Sequence, residues 1–140
     1  MRKSLLYRWF GLGKVPRAQR EVLEAESIVL LDEGLRGLLT LRRFRGPGRF
    51  HSLKKSTFAG SIAVTRTRFV AFAFSRPVVN LPLASEHIDR LQLSIPSEGQ
   101  LLIEFDAGDF DERCSGEVQC RFHTAIARKI RRVVRAAGEA

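Results

Sequence analysis

Apolar and polar residues alternate with a period of two along much of this chain, the pattern of half-buried strands. The pattern is densest over residues 60–74, GSIAVTRTRFVAFAF. There Ile62 and Val64 alternate with Ser61, Ala63 and Thr65, and Arg66 and Thr67 interrupt them as a tight turn. From Phe69 the chain is apolar on both faces. Phe69, Ala71 and Ala73 point one way; Val70, Phe72 and Phe74 point the other. A strand with one wet face is not written like that. The first row is predicted to line a barrel or sheet interior. The second must be covered by a helix, another strand or a partner, so Val70, Phe72 and Phe74 form a candidate interaction surface.

Around this hairpin the same pattern predicts further elements. Residues 27–31 read as a first strand, Asp32-Glu33-Gly34 as a turn and residues 35–44 as a second strand. Gly46-Pro47-Gly48 is a strong breaker. After the hairpin come a short strand at 78–81, a helical turn or loop at 84–90, and strands at 91–95 and 101–105 joined by Ser97-Glu98-Gly99. An acidic loop at 106–116 precedes a last strand in which Val118, Cys120 and Phe122 alternate with polar residues.

A closing helix follows, with Thr124 as its N-cap. Ile126, Ile130, Val133, Val134 and Ala137 form its apolar stripe, and Arg128, Arg131, Arg132 and Arg135 occupy the opposite face. Gly138 fits a C-terminal stop, and cations toward that end would complement the helix dipole. At the other terminus, residues 2–12 place Leu5, Leu6, Trp9 and Phe10 on one helical face, a candidate interaction surface that would pack on the domain or on a second copy, or anchor at an anionic membrane interface. A second helix over 16–25 has Pro16 in its first turn and few apolar positions, which puts it on the surface. The expected organisation is a helical extension, 1–26, and one domain, 27–140. Strands followed by one helix, with no strand–helix alternation, argue for a mainly β chain, an antiparallel barrel or sandwich.

The segment Gly60-x-Ile62-Ala-Val64-Thr65-x-x-Arg68-Phe69-Val70 resembles a hairpin of GRAM and bacterial pleckstrin-homology-like domains. Leu81-Pro82-Leu83 with Ile88, and then the alternating strands at 91–95 and 101–105, follow in the family's order. The resemblance covers about residues 27–137. It implies an antiparallel bent barrel of about seven strands, capped at one end by the last helix. It also implies a non-catalytic module that binds lipid headgroups, peptides or proteins. Phosphoinositide-binding members carry a spaced Lys/Arg motif between their first strands. Arg42, Arg43 and Arg45 do not reproduce that spacing, so the resemblance carries over a fold and not a ligand.

Charge adds a candidate site. The chain of 140 residues has a formal net charge of +9, which favours an anionic partner. Its 19 arginines against 5 lysines are also what a skewed genome composition produces. The charge is concentrated between residues 42 and 55, where Arg42, Arg43, Arg45, Arg49, Lys54 and Lys55 occur with Phe50 and His51 and no acid. This is a candidate anion-binding loop; as a solvated connection it would have no such role.

Nothing in the pattern assembles a catalytic centre. His51, His87 and His123 share no ligand spacing, and Cys114 and Cys120, six apart, form no zinc motif. Cys120 shares the parity of core residues. The carboxylates at 106, 109, 111 and 112 lack the order of a calcium loop. The expectation is no enzyme, no metal and no cofactor. Two cysteines are too few for a disulfide scaffold, and no apolar run approaches the ~18 residues that span a bilayer. The early Arg8 argues against a signal peptide. A cytoplasmic protein is expected, at most peripheral to the inner face of a membrane. Its partner would be a protein or a second copy, with anionic lipid as the alternative and nucleic acid third.

Overall fold

The computed structural model describes residues 15–139. A short helix, α1 (Arg17–Ala25), leads into β1 (Ile28–Gly46), β2 (Arg49–Thr65), β3 (Arg68–Ala73) and β4 (Arg76–Pro82). A 3₁₀ turn at Glu86–Arg90 precedes β5 (Gln92–Ser94), β6 (Gln100–Asp106) and β7 (Ser115–His123), and α2 (Ala127–Glu139) ends the chain. All seven strands form one antiparallel sheet in the order β4-β3-β2-β1-β7-β6-β5. The sheet curls into a half-barrel with β4 and β5 at its two edges. The fold is therefore mainly β and closed by a terminal helix, as expected, but the sheet itself stays open.

The chain folds this way because the inward rows of the strands meet in one core. Phe69 and Ala71, the predicted interior row of β3, pack with Ile62, Val64, Leu101, Ile103, Cys120 and Phe122. The apolar stripe of α2 plugs the hollow: Ile130 and Val134 are buried in this cluster, and Ile126, Val133 and Ala137 lie partly buried against it. Ala127, outside the expected stripe, is buried too. Thr124 seats the helix. Its hydroxyl donates to Asp32 Oδ2 (2.7 Å) and accepts from the Ile126 N–H (3.3 Å). Gly138, expected as a stop, lies inside the helix, which runs to Glu139.

Three expectations need correction. The turn at Asp32-Glu33-Gly34 does not exist: β1 is continuous, and Gly34 is the extra residue of a bulge between Glu33 and Leu35. Its φ of 72° needs glycine, so the turn-like composition marks a bend within a strand. The basic stretch 42–55 is not a connection. Only Pro47 and Gly48 lie outside the paired strands β1 and β2.

The third correction concerns the outer row of β3. Val70 and Phe72 are almost fully buried, under Val15 and Leu23 of the N-terminal segment, together with Ala63. The cover they require is thus supplied by the chain's own helix, and they form no interaction surface. Phe74 follows the end of β3, turns out of the row at φ 56° and is 40% exposed. The helix was expected on the surface because its apolar positions are sparse; one leucine and the preceding valine suffice to dock it.

Polar contacts fix that docking. Glu26 accepts from Arg68 Nε (3.0 Å) and from the Thr67 hydroxyl (3.1 Å), and Glu33 accepts from the Val15 N–H (2.8 Å) and from Arg20 (2.9 Å). Substituting Leu23→Ala is expected to cost about 2–4 kcal/mol, the range for emptying a buried leucine site. The loss would be read in urea unfolding, with new binding of a hydrophobic dye at Val70 and Phe72.

Candidate anion-binding ribbon

The outer halves of β1 and β2 form a ribbon whose tip extends past the rest of the sheet. The ladder between them is regular from Leu35 to Gly46, pairing Arg42 with Leu53, Arg45 with Phe50 and Gly46 with Arg49. Beside β1, β7 pairs as far as Ser115. On the other side, β3 pairs with β2 only over Gly60–Val64. Residues 49–58 of β2 therefore have no strand on their outer edge among the described residues. Gly48 makes the tip, with a φ of 69° that suits a tight turn.

All six predicted cations are on this ribbon and all are exposed: Arg42, Arg43, Arg45, Arg49, Lys54 and Lys55. None makes an ion pair with a carboxylate among the described residues. The nearest acid in register is Glu117, opposite Arg42 on β7. Part of this charge has a structural use, since lysines along an open edge discourage pairing with a foreign strand. That use does not extend to Arg42 and Arg45 of β1, which are paired on both sides.

Two large apolar side chains stand among the cations. Phe50 is 58% exposed and Leu53 is 55% exposed. Neither exposure is marked by an apolar stripe in the sequence. The signal was present: the alternation weakens in this stretch, so nothing obliged either residue to face the core. Cations flank them. The Arg45 guanidinium lies 5.2 Å from the Phe50 ring centroid, and Arg49 lies 5.6 Å from that of Phe44, which also stacks on His51 at 6.4 Å. Phe44 itself is buried with Ala107 and Val118, so it anchors the base of the ribbon. Arg43 takes φ 51° where β1 bulges relative to β7.

Other candidate residues separate. His51, His87 and His123 sit on β2, on the 3₁₀ turn and on β7. His123 is half-buried, and burial first, then the charges of Arg36 and Arg121, hold its pKa below the ordinary value. Among the described residues no three His, Cys, Asp or Glu side chains are placed to hold a metal ion. The acidic loop uses its carboxylates locally: Asp106 accepts from the Gly108 N–H (2.7 Å), and Arg113, hydrogen-bonded to Asp111, holds that carboxyl below its usual range. Among the described residues no helix is long and apolar enough to cross a membrane. The proposed N-terminal face of Leu5, Leu6, Trp9 and Phe10 lies outside the described residues.

Both cysteines are free thiols. Burial pushes the Cys120 thiol up to about 12, because a thiolate there would lose its hydration. The folded pKa lies above the unfolded one, near 9. The resulting stability is present below pH 9 and is lost as pH rises from 9 toward 12. Between pH 8 and 10.5, wild type should lose stability more steeply than Cys120→Ala in urea titrations. Equal slopes would remove Cys120 as the cause.

Comparison with family models, with curated proteins and with solved structures found no match to this chain.

Proposed function

We propose that the protein is a non-catalytic binding module that docks on anionic membrane surfaces through the tip of the β1–β2 ribbon. The observation that carries this is the exposure of Phe50 and Leu53 among six cations that make no ion pair with a carboxylate among the described residues. An apolar pair with basic neighbours suits a charged interface: the rings and methyls enter the headgroup–acyl boundary while the cations meet lipid phosphates. A leucine contributes nothing to base stacking, which favours a membrane over a nucleic-acid strand. Self-association through Val70 and Phe72 loses its support, since α1 covers both. Seven antiparallel strands with a closing helix agree with the architecture that the resemblance to pleckstrin-homology-like domains implied, and they support placing the chain among such modules.

Vesicle sedimentation tests the proposal. The protein should pellet with vesicles containing phosphatidylserine or phosphatidylglycerol, stay in the supernatant with pure phosphatidylcholine, and release as salt rises. Protein left in the supernatant with anionic vesicles at low salt would refute it.

A further inference from the structure

A second basic region lies on α2, where only Arg135 of four exposed arginines has a hydrogen-bond partner among the described residues. Arg128, Arg131, Arg132 and Arg135 would be favourable near a helix C-terminus. The helix, however, begins at Ala127, has no acid in its first turn and no base in its last. Arg128 therefore sits in the first turn, against the positive end of the dipole, and the expected dipole complementarity is overturned. The four also stand at spacings of three and four residues, where like charges face and repel each other. None forms an ion pair with a carboxylate among the described residues. An anion bound beside them would relieve that repulsion.

The four arginines line an open groove of about 760 Å³, with Ile95 and Ala136 as its apolar lining. Arg135 donates to the Leu93 carbonyl (3.2 Å), which holds one end of the row against β5. From Arg128 to Arg135 the row covers roughly 10 Å of helix axis, at 1.5 Å per residue. Guanidinium forks match phosphate oxygens in pairs. Among the described residues no aromatic side chain lines the groove, which offers successive bases of a nucleic-acid strand no stacking platform there.

We infer that this groove binds a compact linear polyphosphate, either an inorganic chain or the triphosphate of a nucleotide. It is separate from the ribbon: α2 follows the end of β7 that pairs near Gly37, whereas the ribbon tip lies beyond the other end, past Ser115.

Thermal unfolding of the full chain at constant ionic strength tests the inference, with sodium tripolyphosphate as the probe. Millimolar tripolyphosphate should raise the midpoint by several degrees, as a ligand of the native state does. Equal ionic strength of chloride should not. The variant Arg131→Gln/Arg132→Gln should need at least tenfold more tripolyphosphate for half the effect, and without ligand should be as stable as wild type or more so. The ribbon variant Arg42→Gln/Arg45→Gln should respond like wild type, which separates this groove from the membrane proposal. ATP matching tripolyphosphate supports recognition of the phosphate chain alone; ATP exceeding it supports a nucleotide. A shift no larger than with chloride overturns the inference. So does a shift unchanged in Arg131→Gln/Arg132→Gln, or an oligonucleotide binding where tripolyphosphate does not.

Discussion

Alanine at position 60 should destabilise the native state by about 3 kcal/mol or more, the upper range for overpacking a filled core. A Cβ on Gly60 would meet the carbonyl oxygen of Phe72, and it would press on the Phe58 ring as well. The carbonyl belongs to β3, held to β2 by the ladder from Gly60–Ala73 to Val64–Phe69, so it cannot step aside without breaking pairs. Nor is the ring free to move. It lies over Gly37, its cross-strand partner, and meets Phe122 edge-on at 5.2 Å between centroids. Two small residues thus make the space for one aromatic. For a chain of this size the midpoint should fall by on the order of 10 °C. Gly48→Ala is the contrast: among the described residues nothing lies within 4 Å of its Cβ position, while the left-handed φ of 69° opposes the change. Its cost should be about 1 kcal/mol. Calorimetry on both variants reads the difference, and equal losses would place the constraint in backbone conformation rather than in packing.

Neutralising the ribbon should have the largest effect on binding. A cation near an anionic surface contributes about 1 kcal/mol. Arg42→Gln/Arg45→Gln/Lys54→Gln/Lys55→Gln should therefore weaken partitioning onto anionic vesicles by about 4 kcal/mol, roughly a thousandfold. All four residues are exposed, so the circular dichroism spectrum and melting temperature should stay near those of wild type. A folded variant that still partitions as wild type would remove the ribbon from the interaction.

Period-two alternation made the strands from Arg68 onward legible, because their inward rows are apolar and their turns carry Pro or Gly. It failed at β1, where Asp32-Glu33-Gly34 carries the composition of a turn and yet bulges inside a strand. The two acids are used for docking, Asp32 by Thr124 and Glu33 by Val15 and Arg20, over separations that no local pattern encodes. Burial of Phe72 was legible as a need for cover, but its source was not, since α1 offers one buried leucine and no stripe. Thr65 and Arg68 are now explained structurally: the Thr65 hydroxyl accepts from the Arg68 N–H (2.9 Å) to shape the β2–β3 turn, and Arg68 reaches Glu26 and Asn80. The six ribbon cations are legible from charge alone. That they belong to paired strands, with Phe50 and Leu53 exposed between them, depends on how far β1 and β2 outreach β3, which is a property of strand register.

Attaching an environment-sensitive fluorophore through Phe50→Cys in a Cys114→Ser background places the label at the ribbon tip, since the remaining thiol, Cys120, is buried. With anionic vesicles its emission should shift to shorter wavelength, while the same label on exposed Arg76→Cys, at the far edge of the sheet, should not respond. Emission at position 50 that stays at its aqueous wavelength on vesicles that carry the protein down would contradict insertion of the ribbon tip.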